Sequence, residues 1–285
     1  MLGKDVESFF LTPPITSRQN ARVSELAKLT ERKHRRALAR FRFDGVKLAS
    51  EALKNGLPVH TVFLRQSEAE HLMTRLSAEV GEFPTKTEFL RLEDRLFDRV
   101  SEESAPEGVI CVCDFLPLHQ ASQIAASLSS ETRVVLLESV RDPSNLGAIV
   151  RSAAAFGVDA LIISEDCADI YNPKTVRASM GTLFTQKICR VPSIPETIAT
   201  LRGTGRRVFA AALDRDALCL GSFTPIVGDC VVIGNEGHGL TQETIRACDA
   251  CVYIPMTERA ESLNAAVAAS ILMWSFRAEC KDRLI

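Results

Sequence analysis

VVLLESVRDPSNLGAIVRSAAAFGVDALIIS, residues 134–164, decides the fold. An apolar run, Val134 to Leu137, ends in polar residues; Asp142, Pro143, Asn145 and Gly147 then precede a helical stretch carrying Arg151, and a second apolar run, Ala160 to Ile163, closes the unit. Similar runs recur downstream as QKICRV (186–191), RVFAAAL (207–213), CVVIGNE (230–236) and CVYIPM (251–256), separated by helical stretches. Short, nearly unbroken apolar strands alternating with helices predict a parallel sheet covered on both faces. Ligands of such sheets bind beyond the carboxyl ends of the strands, so the polar residues just after each strand are the ones to weigh.

Four loops qualify. In the first, Asp142, Asn145 and Arg151 crowd a strand-to-helix junction that packing alone would fill with apolar groups. Asn145 and Arg151 lie nearly two helical turns apart, so they serve one pocket only if the first turn is distorted or both side chains reach the loop. An Asn cap followed by a solvated arginine reads the same residues without chemistry. The second loop, YNPKTVRASMGTLF (171–184), reads as a helix capped by Asn172, opened by Pro173 and carrying Lys174 and Arg177. The third, VVIGNEGHGL (231–240), sets Gly234, Gly237 and Gly239 around Glu236; it lacks the dinucleotide-binding spacing, and His238 reads as an exposed loop residue. The fourth, CVYIPMTERAESLNAAVAASILMWSF (251–276), passes from a strand through a proline-containing loop into an Ala-rich helix with Ser262 and Asn264 at its start. Ser262 reads equally as a helix cap, and Ile271, Leu272, Trp274 and Phe276 predict tight packing against the sheet or a second subunit.

The 285 residues suffice for two domains, and 46% hydrophobic content fills two cores. Residues 1–115 read as a small mixed domain: helical composition over 20–39, a strand running into a helix that ends at Gly56, a strand at VHTVFL, a helix near 68–79 and a strand at GVICVCDF. Residues 116–130 suit a linker carrying a short helix, and 131–285 form the parallel-sheet domain. Net charge is −2, yet from Ser17 to Lys47 ten cations stand against three acids, a local excess of seven positive charges. That asymmetry suits a polyanion. No signal-peptide pattern or membrane-length apolar run is found, which points to the cytosol. Nine singly scattered cysteines suit reduced core thiols, and Cys111-x-Cys113 with Cys248-x-x-Cys251 lack a histidine at finger spacing, so no metal is expected.

Taken together and in order, DPSNLGAIVRSAAAFG, NPKTVRASMGTLF, VIGNEGHGL and IPMTERAESLNAAVAA resemble the SpoU/TrmH family of RNA 2′-O-ribose methyltransferases of the SPOUT superfamily. ITSRQNARVSELAKL through RFDGVKLASEAL resembles the ribosomal-protein-like substrate-binding domain that precedes many of these enzymes, with Asp44 where Glu is usual. The resemblance implies an α/β fold: a SPOUT parallel sheet whose C-terminal segment makes a deep trefoil knot, preceded by a small α/β RNA-binding domain. It implies a cytoplasmic homodimer binding S-adenosylmethionine, with the active site completed across the subunit interface. Gly234, Ile254, Met256 and Leu263 are the implied cofactor contacts, and Asn145, Arg151, Glu236, Ser262 and Asn264 the implied catalytic set. Glu258 stands where the family's loop commonly has glycine.

The implied reaction is methyl transfer to a ribose 2′-hydroxyl of large-subunit rRNA. Guanidinium groups keep their proton at neutral pH, so Arg151 suits stabilisation of a developing alkoxide better than proton abstraction. Arg18, Arg22, Lys33, Arg35, Arg36 and Arg40 are expected to track RNA phosphates, with Phe41 and Phe43 interleaved to stack a base. The alternatives are a tRNA 2′-O-methyltransferase, a base methyltransferase of the wider superfamily, and an inactive RNA-binding or ribosome-assembly factor.

Overall fold

The computed structural model describes residues 9–117, 129 and 132–277, in two compact units. The helix expected within residues 116–130 lies outside the described residues. Among those described, no helix is long and apolar enough to cross a membrane, and no cluster of three or more His, Cys, Asp or Glu residues is arranged to hold a metal.

The first unit comprises Met1–Leu116 with Asp169–Thr185. Its sheet orders β1 (Arg40–Asp44), β4 (Val109–Asp114), β2 (Val59–Arg65) and β3 (Glu88–Leu92) side by side, with only the β2–β3 pair parallel. Helices α1 (Ala21–Lys28), α2 (Arg32–Leu38), α3 (Val46–Lys54), α4 (Ala69–Val80) and α5 (Asp94–Val100) accompany it. Strand β3 and helix α5 escape the sequence pattern because EFLRL is charge-interrupted and half-buried along most of its length.

The helical stretch 20–39 is two helices, and Arg35 explains the break. Its guanidinium turns back to donate to the carbonyls of Leu29 (2.9 Å) and Thr30 (2.6 Å), which α1 would otherwise leave unpaired. The same side chain pairs with Asp169 at 2.8 Å and is 1% exposed. Arg35 is therefore a structural cation, a correction to its expected place on an RNA-facing surface. Phe41 and Phe43 require the same correction. Both are buried, Phe41 against Tyr171 (4.8 Å between ring centroids) and Phe43 against Phe184 (5.2 Å), so neither is free to stack a base. Tyr171 also stacks on Phe115 at 4.0 Å. These rings explain why Asp169–Thr185, carrying α7 (Pro173–Ser179), packs with the first unit although the chain reaches it from the other sheet. Asn172 caps α7 as expected, accepting from the Lys174 amide, and Arg177 pairs with Glu103. Asp44 is structural as well, accepting from buried Arg42 (2.8 Å) and from Ser101 (2.7 Å).

The second unit comprises Pro117–Ala168 with Gln186–Ile285. Seven strands lie in the order β7 (Lys187–Val191), β6 (Ala160–Ser164), β5 (Val134–Leu137), β10 (Cys230–Ile233), β8 (Val208–Ala211), β11 (Ala250–Tyr253) and β9 (Leu218–Cys219). Every pair is parallel, as the alternating pattern predicts. Alternation along the strands turns Val134, Leu136, Ile162 and Val232 toward Ile198 and Leu201 of α8 (Ile194–Gly203). Helix α9 (Gln242–Ala247) packs beside α8. Helix α6 (Pro143–Ala155) packs against α10 (Ala265–Ser275), which also touches β10. Ser152 and Ser270 hydrogen-bond across α6 and α10 at 2.8 Å, while Leu272 and Met273 are buried and Trp274 stays 53% exposed. Buried thiols complete the core; burial pushes Cys230 up to about 11, where it stays protonated at neutral pH.

Candidate active site

The loops after β5, β10 and β11 supply the polar residues that meet in the second unit. Asp142, not Asn145, caps α6: its carboxylate accepts the Asn145 amide at 2.8 Å. That substitution of roles releases the Asn145 side chain, whose Nδ2 donates to Glu236 Oε1 at 3.0 Å. Asn264 Nδ2 in turn donates to Asn145 Oδ1 at 2.9 Å. Asn264 rather than Ser262 caps α10, its Oδ1 accepting the amides of Ala266 (2.9 Å) and Val267 (3.3 Å).

The orientation of both amides is over-determined. An ionised carboxylate only accepts, so Asn145 must present nitrogen to Glu236 and oxygen to Asn264. Asn264 must then present nitrogen to Asn145, which leaves its oxygen for the helix amides. Each side-chain amide retains one further N–H beyond the donation described. One N–H on each of Asn145 and Asn264 therefore remains without a partner among the described residues.

Glu236 is heavily engaged. Its oxygens also accept from the backbone amides of Asp142 (3.3 Å) and Arg141 (3.4 Å) and from Asn235 Nδ2 (3.3 Å). Burial works to raise its carboxyl, but the donation from Asn145 and from the backbone amides outweighs it and holds the group below the usual glutamate range. A carboxylate so low and so fully bonded orients its neighbours and is a poor base at neutral pH.

The turn bearing Glu236 closes on itself through paired backbone bonds of 3.0 Å between Asn235 and Gly239. Asn235 Oδ1 accepts from the Gly237 and His238 amides, while its Nδ2 donates to the Ser139 carbonyl at 2.7 Å. Gly234 is required here: a Cβ would lie 2.4 Å from the Gly239 carbonyl carbon and 2.6 Å from the Leu240 nitrogen. Ser139 adopts φ +56°, uncommon for a residue with a side chain. Asp166 offsets that strain, accepting from Ser139 Oγ at 2.5 Å and Ser164 Oγ at 2.6 Å.

Arg151 and Ser262 stand apart from this cluster. Both are exposed, and among the described residues neither side chain makes a hydrogen bond or ion pair. Beyond β11, Ile254 and Leu263 are half-buried and Met256 is 42% exposed. No hydrogen bond of the described residues engages the backbone amides or carbonyls of Ile254, Met256 or Leu263. Apolar side chains with unpaired backbone groups at strand ends fit the base and ribose of a nucleoside cofactor. Glu258 is exposed in the same loop, and His238 is exposed as the sequence suggests.

In the first unit, Arg18, Lys33 and Arg36 are exposed without an ion pair among the described residues, as are Lys28, Arg32 and Lys47. Arg22 instead pairs with Glu88 at 2.8 Å, and Arg40 with Glu25 at 2.6 Å and Asp114 at 3.0 Å. Arg32 belongs with Lys33 and Arg36 on α2, and the run of cations in the sequence already marks it.

A parallel sheet with a polar cluster at its carboxyl strand ends defines an α/β ligand-binding class. Residues 132–274 match the SpoU rRNA Methylase family, and the chain belongs to that family. Residues 20–111 match the MRM3-like substrate binding domain. The chain is 30% identical over 263 residues to the 23S rRNA (guanosine(2553)-2′-O)-methyltransferase RlmP of Bacillus subtilis, covering 92% of this chain and 98% of that one. It is 31% identical to a 23S rRNA (uridine(2479)-2′-O)-methyltransferase of Streptomyces viridochromogenes, covering 91% and 90%. Among solved structures, the AdoMet-bound rRNA methyltransferase of Sinorhizobium meliloti superposes with a TM-score of 0.78 at 27% identity, covering 93% and 97%. The SpoU methyltransferase AviRb of Streptomyces viridochromogenes in complex with AdoMet gives 0.77 at 28% identity, covering 90% and 97%.

Proposed function

We infer that this protein is an S-adenosylmethionine-dependent methyltransferase acting on a ribose 2′-hydroxyl of large-subunit rRNA. The observation that carries the reading is the relay Glu236–Asn145–Asn264, which joins three loops far apart in sequence and leaves one N–H on each of the two asparagine amides without a partner among the described residues.

Gly234, Ile254, Met256 and Leu263 would hold the cofactor. When bound, S-adenosylmethionine supplies a methyl group on a sulfonium centre, open to in-line attack by an oxygen. Asn145 and Asn264 orient the ribose through their remaining N–H groups, and Glu236 fixes the rotamer of Asn145. Arg151 stabilises the alkoxide developing at the 2′-oxygen, with the proton leaving to a phosphate oxygen or water. Ser262 shapes the loop leading into α10.

The Arg151 side chain makes no hydrogen bond or ion pair among the described residues, which favours a homodimer in which it serves a site shared with a second subunit. The exposed Val267 and Trp274 on α10, beside α6, offer an apolar surface for that contact. The trefoil knot belongs to the same reading, supported by the return of the chain after β11 to lay α10 on α6. Residues 1–115 bind RNA, with Arg18, Lys33 and Arg36 facing phosphates and Arg22 and Arg40 available only by exchanging their acidic partners.

Incubation with ribosomal and transfer RNA and isotopically labelled S-adenosylmethionine, followed by mass spectrometry of nucleosides, tests this. A 2′-O-methyl nucleoside in large-subunit rRNA is the expected product. Label on a base, in tRNA alone, or on neither RNA would overturn it.

A further inference from the structure

Glu138, the residue immediately after β5, is 7% exposed and accepts three hydrogen bonds from the far side of the Glu236 turn. Its Oε2 accepts the Thr241 amide at 2.8 Å, and its Oε1 accepts the hydroxyls of Thr241 (3.1 Å) and Thr244 (2.5 Å). Its own amide donates to the Ile233 carbonyl at 2.9 Å, one residue before Gly234. Glu138 therefore holds the chain on both sides of residues 234–240: backbone at the entry, carboxylate at the exit. The next residue, Ser139, grips the same turn through the Asn235 side chain.

No lysine or arginine among the described residues pairs with Glu138. Burying a carboxylate against neutral donors alone is costly, and an apolar residue at the end of β5 would pack at lower cost. A charged acceptor is justified where several donors must be held at fixed positions. The turn it fixes carries Glu236, and Glu236 sets the rotamer of Asn145.

We propose that Glu138 is a positioning residue for methyl transfer, its carboxylate clamping the Thr241–Thr244 end of the turn so that Glu236 meets Asn145. The proposal rests on the methyltransferase reading above. A rigid site loses rate steeply when a group moves by about 1 Å, whereas substrate binding spread over another surface does not.

The test compares Glu138→Gln and Thr244→Val with wild type, singly and combined with Glu236→Gln. Each single variant is expected to lower kcat by roughly ten- to a hundredfold with KM for RNA changed less than about twofold. In the Glu236→Gln background, Glu138→Gln should change kcat by less than about twofold, because the group it positions has gone. A merely structural role predicts effects that multiply. Thr244→Val removes one donor at constant shape and decides the matter if Glu138→Gln fails to fold. Amide hydrogen exchange without RNA or cofactor supplies an arm independent of activity, with faster exchange expected at residues 235–240 in Glu138→Gln. An unchanged kcat, multiplicative effects or unchanged exchange in that turn would overturn the clamp. If wild type itself transfers no methyl group, the functional reading fails, and the exchange result still decides whether Glu138 holds the turn.

Discussion

Asn145 and Glu236, 91 residues apart in sequence, meet at 3.0 Å because Asp142 takes over the capping of α6. An asparagine at a helix start would ordinarily spend its side chain on the helix amides. Here the neighbouring aspartate does so, and the amide of Asn145 is left to bridge a carboxylate and a second asparagine. Replacing Asn145 by Asp keeps the shape but sets a second carboxylate against Glu236 and removes its donor. Turnover should fall by at least about a hundredfold, measured as single-turnover methylation, with Asn145→Ser less damaging because no charge is added.

Arg151→Lys retains the charge and loses the planar fork. Turnover should fall roughly 10²–10³-fold, while S-adenosylmethionine affinity by calorimetry stays within about twofold. A lysine variant working near the wild-type rate would show that geometry at this position is immaterial.

Glu236 is held below the usual glutamate range, so its folded pKa lies under its unfolded one. Its contribution to stability is complete above the unfolded value of about 4.3 and is lost only as pH falls through the lower folded value. Rate profiles between about pH 5 and 9 should therefore carry no acid limb belonging to Glu236. An inflection near pH 6 that disappears in Glu236→Gln would sink this assignment.

The cations of the first unit divide by burial. Lys33→Ala and Arg36→Ala should each weaken RNA binding and reduce the salt slope by about one, read by titration at several ionic strengths, with thermal stability unchanged. Arg35→Ala should instead cost about 3–5 kcal/mol of stability, because it strands Asp169 and uncaps α1. Chemical denaturation separates the two behaviours.

Gly234→Ala places a methyl group 2.4 Å from the Gly239 carbonyl carbon. Backbone must move, so cofactor affinity should fall by more than about tenfold and the melting temperature by several degrees. Gly237→Ala is the control, since its nearest neighbour would be the Asn235 side chain at 3.6 Å.

Much of this is legible in the amino-acid sequence. Apolar runs of four or five residues separated by helical stretches specify a parallel sheet, because strands buried on both faces need no polar alternation. That in turn picks out four loops that follow strands, among them those bearing Asn145, Glu236 and Asn264; that these three residues share one site is what the resemblance to the SpoU/TrmH family implies. Tertiary structure alone decided how those residues divide their work. Which of Asp142 and Asn145 caps α6, and whether Ser262 or Asn264 caps α10, depends on partners about a hundred residues away that compete for the same side chain. Burial is equally non-local. Arg35 lies in a run of cations that reads as one basic surface, yet a carboxylate from the 169–185 segment draws it inside, and rings from that segment do the same to Phe41 and Phe43. Charge and spacing are properties of the chain; solvent exposure and hydrogen-bond partners are properties of its packing.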